Sequence, residues 1–60
     1  MLKTYFIECI KGNDMQYFDC KNYVAGIKDF ISIVRGNFYS YVRLCSSDGR
    51  ILKEYRKVVR

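Results

Sequence analysis

The chain is expected to fold as an α+β domain of ββαββ order, with a four-stranded antiparallel sheet (order 2-1-3-4) and one helix on one face. Three observations lead there. Only residues 22–36 carry apolar side chains at helical spacing, aromatic and β-branched runs flank that stretch on both sides, and turn residues divide each flank in two. The 60 residues, without proline, repeat or linker, make one domain, 1–60, near the lower limit for folding without metal, disulfide or partner.

Residues 3–11, KTYFIECIK, form the first expected strand. Gly12-Asn13-Asp14 turns the chain, and residues 15–20, MQYFDC, return it as a hairpin. Ile7, Cys9, Phe18 and Cys20 then share one face, and Phe6, Glu8, Ile10 and Tyr17 the other. In the helix, Tyr23, Ile27, Phe30, Ile31 and Val34 stack into one stripe opposite Lys28, Asp29, Ser32 and Arg35. Asn22 is placed to cap the first turn, and Gly36 followed by Asn37 to close the last in the left-handed conformation. Gly26 costs about 1 kcal/mol against alanine, so the helix depends on packing rather than propensity.

Residues 37–46, NFYSYVRLCS, make the third strand, and Asp48-Gly49 signals a type I′ hairpin into residues 50–59, RILKEYRKVV. With Asp48 and Gly49 central, Arg43 opposes Glu54, Val42 opposes Tyr55 and Leu44 opposes Lys53, and the charge pair supports that register. One face carries Phe38, Val42, Leu44, Ile51 and Tyr55; the other carries Tyr39, Tyr41, Arg43, Leu52, Arg56 and Val58. A bulged three-residue turn would change the assignment for the last strand. A right-handed crossover over the first strand gives the order 2-1-3-4 and buries Ile7, Phe18, Val42 and Leu44 against Ile27, Phe30, Ile31 and Val34.

Composition narrows the function classes. Cys9, Cys20 and Cys45 form no CxxC spacing, and histidine is absent, which disfavours a zinc site, a disulfide scaffold and the usual base for a nucleophile. The thiols read as small buried hydrophobes in a reducing, cytoplasmic setting. No apolar run reaches the length of a membrane span, and the start reads as strand rather than signal peptide. Neither a catalytic pair nor a cofactor or metal site is expected. Ser46-Ser47-Asp48-Gly49 is explained by turn chemistry rather than as a phosphate loop.

The net charge of +5 is concentrated at the end, where residues 50–60 hold five basic side chains against Glu54 alone. Such a strand attracts phosphate or an acidic protein surface, or only discourages sheet-to-sheet aggregation. One helix covers one side of the sheet, leaving Phe6, Ile10, Tyr17, Tyr39, Tyr41, Leu52 and Val58 bare among Glu8, Arg43, Glu54 and Arg56. A patch of this kind marks an interaction surface, unless arginine stems simply lie over tyrosine rings. The expected activity is therefore that of a non-enzymatic protein-binding module. The expected partner-binding residues are Tyr39, Tyr41, Arg43, Lys53, Arg56 and Lys57, and a homodimer through the open face is a further expectation. By analogy of size with phage and mobile-element proteins of the anti-CRISPR kind, the partner is expected to be a nucleic-acid-processing protein that the chain inhibits. The alternative is direct binding of single-stranded nucleic acid by the same face, although no RNP pattern is present.

Overall fold

The computed structural model describes residues 4–58, which run β1 (Tyr5–Lys11), β2 (Asp14–Cys20), α1 (Tyr23–Gly36), β3 (Tyr41–Ser46) and β4 (Ile51–Arg56). The strands form a four-stranded antiparallel sheet in the order β2-β1-β3-β4. The expected strand start at Lys3 and strand end at Val59 lie outside the described residues.

Lys11 pairs with Asp14, so the first turn is Gly12-Asn13 alone, with Gly12 at φ 61°. A positive φ at the first central residue is the type II′ arrangement, which glycine adopts without a Cβ clash. Asp14, expected in the turn, therefore begins β2. Ile7 opposes Phe18 and Cys9 opposes Gln16, which gives both faces of this hairpin the composition expected from sequence.

The helix is capped as its ends suggest. The Asn22 side chain accepts from the Ala25 amide at 2.9 Å. Asn37, at φ 56°, supplies the left-handed residue and donates its N–H to the Val34 carbonyl at 3.0 Å, leaving Gly36 as the last helical residue. The buried stripe is rotated from the expected one. Gly26 and Phe30 are buried, Ile27, Ile33 and Val34 pack against the core, and Tyr23 and Ile31 are exposed. The cause is Gly26, where a Cβ would lie 3.1 Å from Leu44 Cδ1 and 3.7 Å from Cys20 Cβ. The helix comes closest to the sheet along the side where there is no side chain to hold it away. That line runs through Gly26, Phe30 and Ile33, so Ile31 turns to solvent.

The core so formed holds Ile7, Cys9, Cys20, Phe30, Val42 and Leu44. Phe18, expected in it, stays largely exposed because β2 is an edge strand. The second turn uses three loop residues rather than two: Gly49 N–H donates to the Ser46 carbonyl at 3.0 Å, Ser46 N–H donates to the Arg50 carbonyl at 2.9 Å, and Gly49 sits at φ 91°. The Ser46 hydroxyl and the Arg50 amide both donate to the Asp48 carboxylate. Cys45 then opposes Ile51 while Leu44 opposes Lys53, which makes Leu52 the extra residue of a β-bulge. The bulge offsets the longer turn, so Leu44–Lys53, Arg43–Glu54 and Val42–Tyr55 pair as expected. Near the turn the assignments exchange: Leu52, expected on the open face, packs against the core, and Ile51, expected on the face of Val42 and Leu44, is exposed on the other.

Candidate functional site

Opposed residues of a ladder share a face, so the register fixes the side chains turned away from the helix. They are Phe6, Glu8 and Ile10 of β1, Met15, Tyr17 and Asp19 of β2, Tyr41, Arg43 and Cys45 of β3, and Glu54 and Arg56 of β4, with Ile51 opposite Cys45. Met15, Tyr17 and Ile51 are exposed, while Phe6, Ile10 and Tyr41 are half-buried. The rings of Phe6 and Tyr17 lie 6.3 Å apart, tilted.

Glu8, Arg43, Glu54 and Arg56 pair with one another on this face. Arg43 donates to Glu8 directly across the ladder, and Glu8 is only 8% exposed. That bond holds Arg43 charged, raising its pKa against the opposing effect of desolvation. Tyr41 donates its hydroxyl to Glu54 at 2.5 Å, which together with burial and the Glu54 charge pushes the phenol above its usual range. Arg56 lies 3.7 Å from the same Glu54 carboxylate, with its guanidinium carbon 5.4 Å from the Tyr41 ring centre. Three carboxylates, Glu8, Asp19 and Glu54, meet two guanidinium groups, Arg43 and Arg56, so the face is close to neutral. The basic character of the chain lies elsewhere.

Of the expected partner-binding residues, Tyr41, Arg43 and Arg56 are brought together on the open face; Tyr39, Lys53 and Lys57 are not. β3 begins at Tyr41 rather than Asn37, because Asn37 is the helix cap and both the amide and the hydroxyl of Ser40 bond the Ile10 carbonyl. Strand alternation therefore does not extend back to Tyr39, which packs against the core and donates to Gln16 at 3.2 Å on the helix side. Phe38, expected on the face of Val42 and Leu44, is exposed and meets Tyr39 edge-on at 4.9 Å. Lys53 opposes Leu44 and so belongs to the helix side. Lys57 reaches the Asn37 carbonyl at 3.4 Å, at the end of α1. Met15 joins the face without having been expected there, set opposite Ile10 by the Gly12-Asn13 turn.

Burial raises the pKa of Cys9, Cys20 and Cys45, with the Asp29 carboxylate adding to the effect at Cys20, so the thiols stay protonated at neutral pH, the reverse of what a nucleophile needs. Among the described residues no group of three or more His, Cys, Asp or Glu is placed to hold a metal ion. No helix among them is long and apolar enough to cross a membrane. Comparison with protein-family models, curated proteins and solved structures finds no match for this chain.

Proposed function

We propose that the chain is a non-enzymatic binding module that occupies the surface of another protein through the open face of its sheet. The observation that carries this reading is the exposed apolar set Met15, Tyr17 and Ile51, on the same face as half-buried Phe6, Ile10 and Tyr41, where both guanidinium groups are already paired with carboxylates. Burying such a face against a partner removes apolar area from water and leaves few charges to be re-paired. The same near-neutrality argues against nucleic acid, since a phosphate backbone laid there would meet more carboxylate than guanidinium. Arg50, Lys53 and Lys57 lie along the β4 side, so a partner with an acidic rim fits best. The three free, buried thiols fit a reducing, cytoplasmic setting. Nucleic-acid-processing proteins, on analogy of size, are the first partners to assay for inhibition.

The test compares the wild-type protein with Tyr41→Ala and Arg56→Ala for binding to proteins captured from the source cell. Each variant is expected to stay folded and to weaken binding by about 1–3 kcal/mol. Unchanged affinity in both would remove the open face from the interaction. Steeply salt-dependent binding of a single-stranded oligonucleotide by the wild type would replace the protein partner with nucleic acid.

A further inference from the structure

The two edges of the sheet are built differently. β4 is charged along Lys53, Glu54 and Arg56 and carries the bulge at Leu52, both of which discourage another strand from pairing with it. β2 pairs with β1 over seven unbroken positions, and its centre, Met15-Gln16-Tyr17-Phe18, contains neither charge, proline nor bulge. The backbone of this edge is open at defined places. A two-residue turn closes on a hydrogen-bonded pair, here Lys11 and Asp14, so Asp14, Gln16, Phe18 and Cys20 direct their amides and carbonyls to β1. Those of Met15, Tyr17 and Asp19 point outward, and Tyr17 is 59% exposed.

We propose that a second copy of this chain pairs with β2 in antiparallel fashion about a two-fold axis at Tyr17, joining the two sheets into one of eight strands. Outward-directed residues must face outward-directed residues, so Tyr17 opposes Tyr17 of the second copy and Met15 opposes Asp19. On the other side of the sheet Gln16 opposes Phe18, and Asp14 opposes Cys20. No like charges face each other in this register, which is the property that selects a second copy as the occupant. The groove of about 300 Å³ between β2 and α1, lined by Phe18, Asp29, Ser32 and Ile33, lies on the helix side of the seam, where the second copy covers the exposed Phe18 ring.

The charge distribution fits the same arrangement. A net charge of +5 per chain opposes association in general. β2 itself holds only Asp14 and Asp19, and the basic β4 strands end up at opposite margins of the joined sheet. At about 4.8 Å per strand they stand roughly 34 Å apart, several Debye lengths at physiological salt.

Sedimentation equilibrium over a concentration series tests this with the full chain. The wild type is expected to approach the mass of two chains. Tyr17→Lys and Tyr17→Glu, each placing like charges across the axis, are expected to run as single folded chains by mass and circular dichroism. Mixing the two variants is expected to restore a dimer containing one of each, since lysine then faces glutamate. A monomeric wild type would overturn the proposal. So would a dimer that survives Tyr17→Lys but is lost in Tyr41→Ala, which would move the contact to the open face, or failure of the mixture to re-form a dimer.

Discussion

Gly26 faces Leu44 of β3 at close range, and its replacement by alanine sets two effects of known sign against each other. Alanine gains up to about 1 kcal/mol of helix propensity. Its Cβ would also stand 3.1 Å from Leu44 Cδ1, inside ordinary contact distance, and Leu44 is fully buried with neighbours on all sides. Overpacking of this kind costs about 1–3 kcal/mol, so the net expectation is a loss of about 1 kcal/mol, or about 4–8 °C in Tm for a domain of this size. The decisive measurement is a double-mutant cycle by urea unfolding. Leu44→Val shortens the side chain that the added Cβ would press against, so in that background Gly26→Ala is expected to stabilise by up to about 1 kcal/mol. The sign of one substitution should invert with the other. A stabilising Gly26→Ala in the wild-type background, or the same effect in both backgrounds, would refute the account of why the helix is rotated.

Two further expectations follow from the charged and titrating groups. Arg43→Ala strands Glu8, nearly buried, without its ion partner and is expected to cost about 1–3 kcal/mol of stability. Arg56→Ala, whose side chain is 76% exposed, should stay within about 0.5 kcal/mol. Equal urea midpoints for the two variants would sink this division. Cys9, Cys20 and Cys45 are raised from 9.0 and Tyr41 from 10.0. The native state thus keeps protons that the unfolded chain has already lost. Stability from these groups is complete below pH 9 and falls as pH rises beyond it. Urea midpoints measured from pH 7 to alkaline pH should decline above about pH 9, and a flat profile there would contradict the burial of the thiols.

The strand order and the main registers were legible because they rest on short-range rules: where the turns lie, and which alternation each strand keeps. Arg43 opposite Glu54 could be read from Asp48-Gly49 even though the turn proved longer, since the bulge at Leu52 restored the count. What could not be read depends on third partners. Gly26 looked like a propensity defect until Leu44 was seen beneath it, so the expected stripe held Tyr23 and Ile31 where the core takes Gly26 and Ile33. Tyr39 looked like a strand residue of the open face until the Asn37 cap and the Ser40 bonds to Ile10 broke the alternation. Lys53 and Lys57 were assigned to the site by their charge, which says nothing about the side of the sheet they occupy.

The open face is not uniform, and its unevenness bears on how it is used. Its centre is closed by the chain itself, through the Glu8–Arg43 pair and the buried Cys45 beside it. Exposed apolar groups lie on the flanks, Met15 and Tyr17 on β2 and Ile51 on β4, the latter at the opposite end of β4 from the Tyr41–Arg56 contact. If the β2 flank forms the seam with a second copy, the β4 flanks of the two chains are left as separate, equivalent docking positions, one at each end of the joined sheet. Partner binding and self-association then overlap at Tyr17 and otherwise draw on different residues. Tyr17→Lys should release a monomer that still binds its partner through Tyr41 and Arg56, losing the contact of the Tyr17 ring and, when the partner is immobilised densely, the gain from two-site attachment. Solution affinity measured by titration should fall less in that variant than in Tyr41→Ala. A parallel loss of dimer and of single-site affinity would mean that both activities share the β2 flank.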